Sequence, residues 1–234
     1  MYKVMNNELN LKELCESLEY EFKDESLLKM ALTHSSYSNE MKINKYGNYE
    51  RLEFLGDAVL ELVSSEFFYK ELPDRKEGDL TRIRSSMVCE PALAYCAREF
   101  SLQNYILLGK GEEVTGGRNR DSIVSDVLEA VIGAIYLDGG IEKAGAFIKK
   151  HILVDYESKQ LFYDAKTILQ ETVQKDGGTV KYELINESGP DHDKTFEVSC
   201  LINGEERAKG VGKSKKAAEQ QAAYAILMEL KKEK

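Results

Sequence analysis

The chain has 234 residues, 42% of them hydrophobic and 31% charged, with 3 prolines; this is the composition of a folded chain long enough for two modest domains, each with its own core. No window reaches the roughly 18 consecutive apolar residues of a membrane span, so a helical membrane protein is excluded, as are fibrous and low-complexity classes. The net charge of −9 argues against a nucleic-acid binder at face value, but it is unevenly spread: residues 1–163 carry 20 basic and 28 acidic side chains, residues 164–234 carry 12 and 13.

The first segment, MYKVMNNELNLKELCESLEY, lacks a basic stretch followed by an apolar run, so nothing marks it for export and the cytoplasm is the expected compartment. From residue 8 to 151 the pattern is a succession of helical repeats. Breaks fall at Lys45–Asn48, Leu72–Gly78, Gly109–Asn119 and Asp138–Gly140. An all-α domain is expected over 1–153, followed by a linker at 154–163. Cys15, Cys89, Cys96 and Cys200 form no C-x-x-C pair, and His34, His151 and His192 are far apart, which argues against a zinc site or a disulfide framework.

After the linker the periodicity changes. A helix at Asp164–Lys175 precedes alternating segments at Thr179–Asn186, Lys194–Ile202 and Arg207–Val211, separated by the turn signals Ser188-Gly189-Pro190 and Asn203-Gly204. An alanine-rich helix, Ser214–Leu230, closes the chain with Ser214 available as its N-cap. The second domain, 164–232, is thus predicted to be a small α+β unit in the order α-β-β-β-α.

Two segments carry chemistry. In YERLEFLGDAVLEL, acids at Glu50, Glu53, Asp57 and Glu61 are spaced three, four and four, which puts them on one helix face. Leu52, Leu55, Val59 and Leu62 form the stripe expected to pack inward. An acidic stripe alone is ordinarily a solvated face. In SIVSDVLEAVIGAIYL (Ser122–Leu137), however, a helix apolar on almost every side holds only Asp126 and Glu129 as charges. Buried carboxylates need a compensating charge. A basic partner could supply it, but with an acidic helix opposite a hard divalent cation held by oxygens, such as Mg2+, fits better, and a pair of such ions would suit displacement at a phosphate.

ERLEFLGDAVL together with SDVLEAVIGAIYLD resembles the signature of the ribonuclease III family. FKDESLLKMALTHSSY, KEGDLTRIRSSMV and GGRNRDSIVSDVLEA are similar to family segments in the same order, so the resemblance covers nearly the whole chain. It implies an all-helical nuclease domain in which Glu53, Asp126 and Glu129 bind Mg2+ (Mn2+ as a possible substitute), Asp57 and Glu129 serve catalysis, and Glu50 and Glu77 are accessory acids. It further implies hydrolysis of double-stranded RNA to 5'-phosphate and 3'-hydroxyl ends with short 3' overhangs, a role in processing rRNA precursors and some mRNAs and tRNAs, and a homodimer with Phe54 at the contact. Tyr49 stands where the family often has Asn, and Ser35 where a basic residue is common; neither is expected to touch a proposed metal ligand.

Residues 164–230 resemble the double-stranded-RNA-binding domain. Independently of that resemblance, Gly210-Val211-Gly212-Lys213-Ser214-Lys215-Lys216 places lysines at a helix N-terminus, where free N–H groups and the dipole favour a phosphate. The resemblance assigns minor-groove contacts to Thr167, Gln170, Glu171 and Gln174 on the first helix and to Pro190 and His192 in the loop, with Lys213, Ser214, Lys215 and Lys216 on phosphates across the major groove. Two alternatives are a non-catalytic duplex-RNA-binding or ribosome-associated structural protein, which predicts missing metal carboxylates, and a hydrolase of small nucleotides, which leaves the second domain without a purpose.

Overall fold

Where the apolar residues recur at helical spacing, the chain is helical. The computed structural model describes residues 11–43, 47–190 and 194–232, in two units, Met1–Val154 and Asp155–Lys234. The first contains α1 (Leu11–Leu18), α2 (Glu25–Ala31), α3 (Ser35–Glu40), α4 (Glu50–Glu71), α5 (Glu77–Met87), α6 (Glu90–Glu99), α7 (Lys110–Val114) and α8 (Asp121–His151). Among the described residues no helix is long and apolar enough to cross a membrane.

The unit is built around α8, whose Val124, Val127, Leu128, Val131, Ile132 and Ile135 are fully buried and which packs most extensively on α4. The two backbones meet through a reciprocal glycine pair. A Cβ on Gly56 would stand 1.8 Å from the Glu129 carbonyl oxygen, and one on Gly133 would stand 2.2 Å from that of Leu52. This approach fixes which face of α4 turns inward: Leu52, Gly56, Val59, Leu60 and Val63 are buried. Leu62, expected on that stripe, is instead 61% exposed, as are Phe54 (80%) and Tyr69 (73%), because the helix rolls toward its glycine rather than toward its bulkiest side chains.

The break predicted at Asp138–Gly140 is a kink inside α8, at Gly140 with φ 79°. Asp138 beside it accepts hydrogen bonds from the backbone N–H groups of Lys23 (3.1 Å) and Asp24 (2.9 Å) and from the Tyr20 hydroxyl (2.8 Å), tying the start of α2 to the kink.

The second unit runs α9 (Tyr156–Tyr163), α10 (Ala165–Lys175), β1 (Val180–Ser188), β2 (Thr195–Ile202), β3 (Glu205–Gly212) and α11 (Lys215–Lys232). Its antiparallel sheet has the order β1-β2-β3, with Tyr182 opposite Cys200 and Cys200 opposite Ala208. Asn203 and Gly204 both have positive φ (54° and 85°), as a two-residue hairpin turn of the favoured hand requires. Residues 154–163, expected as a linker, contain a helix: Leu161 of α9 joins Leu169, Cys200, Ala223, Ile226 and Leu227 in the core. An apolar residue in every few positions of that segment was enough for the neighbouring core to recruit it.

Candidate metal centre and duplex-binding surface

The close approach of α4 and α8 carries acids with it. Gly56 lies between Glu53 and Asp57, and Gly133 lies one turn after Glu129, so the contact that brings the backbones together also brings the carboxylates together. Glu53, Asp126 and Glu129 each offer an oxygen within 4.8 Å of the others. Asp57 is exposed beside them, near enough to act on both Glu53 and Glu129.

The electrostatics of the triad suit a cation. Glu129 is pushed up to about 8, first by burial and then by Asp57, Asp126, Glu53 and Glu61. Glu53 is pushed up to about 7 by burial and by Asp126, Glu50 and Asp57. Asp126 is raised by burial and by Glu90 at the start of α6, against hydrogen bonds that lower it. Every acid in the triad thus resists ionisation, a strained state that a divalent cation relieves. The donor set also fits by size. Two oxygens on opposite sides of a Mg2+ are about 4.2 Å apart, so modest rotamer adjustment closes the triad on an ion.

The remaining predicted acids are distributed differently. Glu50 is exposed at the start of α4, where its backbone N–H meets Asn48 Oδ1 at 3.3 Å. Glu61, the fourth acid of the stripe, pairs with Arg84 of α5 at 2.9 Å. Glu77 is not gathered into the triad; it lines a hollow with Ser65, Phe68, Tyr69, Leu80, Thr81 and Arg84, and accepts from the Thr81 hydroxyl at 3.0 Å.

One expectation is corrected. Tyr49 does touch a proposed ligand: it is buried, and its hydroxyl donates to the Asp126 carboxylate. A phenol one residue before a helix reads as a core aromatic, so the amino-acid pattern carries no signal of this contact. Glu90 is unmarked as well, since nothing in its local spacing links α6 to α8. Ser35, the other departure, opens α3 just after the capping His34.

In the second unit Thr167, Glu171 and Gln174 are exposed and Gln170 half-buried, on the face of α10 opposite the buried Ala165, Leu169 and Val173. Ser214 Oγ accepts from the Ala217 N–H at 3.1 Å, the predicted N-cap. Lys213, Lys215 and Lys216 are exposed around that end of α11. They are placed there by two glycines of β3: a Cβ on Gly210 would lie 2.1 Å from the Ala218 carbonyl oxygen, and one on Gly212 would lie 2.6 Å from the Ala218 nitrogen. Pro190 is exposed; His192 lies outside the described residues.

A ribonuclease-III-like family model matches residues 24–156 and a double-stranded RNA binding motif matches residues 165–230. The chain is 47% identical over 224 residues to ribonuclease 3 of Bacillus licheniformis, covering 94% of this chain and 90% of that one. It is 50% identical over 211 residues to ribonuclease 3 of Pelotomaculum thermopropionicum, covering 88% of each. Among solved structures, the nuclease domain of ribonuclease III from Campylobacter jejuni, which has a flexible region involved in dimer formation, is 45% identical with a TM-score of 0.57, covering 61% of this chain and 96% of that one. Both matched regions stand in the family's order and near-half identity runs through both, so the chain belongs to the ribonuclease III family of endoribonucleases acting on double-stranded RNA.

Proposed function

We propose that this endoribonuclease cuts each strand of an RNA duplex by Mg2+-dependent hydrolysis, leaving 5'-phosphate and 3'-hydroxyl ends with short 3' overhangs. The observation that carries the reading is the convergence of Glu53, Asp126 and Glu129, three carboxylates within 4.8 Å, on helices that could have been packed by apolar side chains alone. These three would hold the ion, with Mn2+ a possible substitute. When bound, the cation supplies Lewis-acid activation of water and charge stabilisation at the leaving ribose 3'-oxygen. Asp57, exposed at the edge of the triad, orients the attacking water and receives hydrogen bonds from it, and Glu129 shares that duty while fixing the buried side of the site. Glu50 and Glu77 are accessory acids at the margins.

The second unit supplies affinity and shape recognition. Thr167, Gln170, Glu171 and Gln174 would meet one minor groove, the Pro190–His192 loop the next, and Lys213, Ser214, Lys215 and Lys216 the phosphates between them; such domains span about 16 base pairs with little sequence preference. The exposed Phe54 on α4 supports a homodimer in which two sites each cut one strand. Processing of rRNA precursors and of some mRNAs and tRNAs in the cytoplasm is the corresponding role. A non-catalytic structural protein would have no reason to keep the whole acidic set.

The decisive experiment incubates a long RNA duplex with the chain, with and without Mg2+, and determines the ends of the products. Cleavage should require the ion, and Asp57→Asn should abolish it while leaving duplex binding unchanged. Full activity of that variant, or cleavage in chelator, would sink the mechanism.

A further inference from the structure

Tyr49, the residue just before α4, reaches into the acidic triad from a rigid support. It is 5% exposed, and its backbone N–H donates to the Thr33 carbonyl at 2.9 Å while its own carbonyl accepts from Leu52 and Glu53, the first turn of α4. Its ring lies 5.6 Å from that of His34. His34 is itself held: its Nδ1 contacts Ser36 Oγ at 2.7 Å, and its backbone N–H donates to the Leu107 carbonyl at 3.0 Å. From this scaffold the phenol crosses from α4 to α8 and donates to the Asp126 carboxylate. Asp126 thereby receives its orientation from a different helix from the one that carries it.

A carboxylate has two oxygens. Ser125 also hydrogen-bonds Asp126, but from the same helix; a phenol fixed on another element limits the torsion of the group in a way that a neighbour on its own helix does not. A phenol ordinarily keeps its proton to about pH 10, so the donor persists throughout the working range. We propose that Tyr49 is a positioning residue for the cation site: by holding one Asp126 oxygen it aims the other at Glu53 and Glu129, and so sets the affinity of the triad for a divalent ion. This rests on the metal reading given above. Partners of this kind, which hydrogen-bond a ligating carboxylate, typically change metal affinity 10- to 100-fold when removed. A merely structural Tyr49 would need its ring but not its oxygen.

Tyr49→Phe separates the two, because it keeps the buried ring and deletes one atom. Mn2+ is titrated calorimetrically into the full-length protein without RNA, and duplex cleavage is measured against Mn2+ concentration. The Phe variant should bind Mn2+ at least about tenfold more weakly. Its half-saturating Mn2+ for cleavage should rise by the same factor, with most of the rate recovered at saturating ion and duplex binding in chelator unchanged. Mn2+ affinity within twofold of the parent, whether or not the melting temperature falls, would overturn the role of Tyr49 while leaving the metal centre intact. A parent chain that binds no Mn2+ at all would overturn both.

Discussion

Replacing Gly133 by alanine tests whether the helix crossing, rather than the acids alone, makes the site. Alanine is favoured over glycine inside a helix by about 1 kcal/mol, so an unconstrained position would gain stability. Here the new Cβ would stand 2.2 Å from the Leu52 carbonyl oxygen. An ordinary contact is about 3.4 Å or more, so α4 and α8 must part by roughly 1 Å. Overpacking of this kind costs about 1–3 kcal/mol, and a backbone atom cannot rotate away, so a net loss near the upper end is expected. The acids are on the two helices that part: Glu53 and Asp57 on one, Asp126 and Glu129 on the other. Misplacement by about 1 Å lowers rates about a hundredfold, so cleavage should fall by two orders of magnitude at fixed Mg2+ even where the variant is folded. Urea denaturation and single-turnover cleavage of a duplex measure the two effects. Gly145→Ala on the same helix is the control: its Cβ would lie 3.8 Å from Val63, in ordinary contact, and it should be neutral or stabilising by up to about 1 kcal/mol. A Gly133→Ala protein as stable and active as the parent would refute the reasoning.

The raised carboxyls predict a pH dependence. Folding favours the neutral forms of Glu53 and Glu129, so the stability these groups contribute is complete below their unfolded pKa of 4.5 and is lost as pH rises through about 7 and about 8. The metal-free protein should therefore melt at a lower temperature at pH 9 than at pH 7, a range above the depressed pKa of His34, whose contribution runs the opposite way; saturating Mg2+ or Glu129→Gln should flatten the trend, and a melting temperature that rises over this range would contradict it. Changing Lys213, Lys215 and Lys216 to alanine should make the dependence of log affinity on log salt shallower by about one for each phosphate contact removed; an unchanged slope in a filter-binding series would show that these lysines meet no phosphate. Burying a phenylalanine contributes about 1.5–3 kcal/mol, and a two-fold axis counts it twice. Phe54→Ser should thus weaken a homodimer at least about a hundredfold, and sedimentation identical to the parent would remove Phe54 from the contact.

Much of the fold was legible from residue patterns. The alanine-rich stretch after Ser214 and the Asn203-Gly204 dipeptide dictate their own local structure, because a cap, a turn of positive φ and helix propensity act over a few residues. The kink at Asp138–Gly140 could be read for the same reason. Residues 156–163 could not, since their helix is stabilised by a core that Leu161 shares with residues distant in sequence, Cys200, Ile226 and Leu227 among them.

The acids divide along the same line. Asp126 and Glu129 were marked by the sequence itself, as charges in a helix otherwise too apolar to face water, a cost that local reading can recognise. That Glu53 joins them while Glu61 is drawn away to Arg84 was decided by the roll of α4 about Gly56, and Glu77 stands in another hollow because α5 carries it. The same roll turned Leu62 to the surface, and Tyr49's reach to Asp126 spans two helices. Spacing along a chain sets which side chains share a helix face; only the packing of one backbone against another, here a glycine against a carbonyl, sets which face meets which.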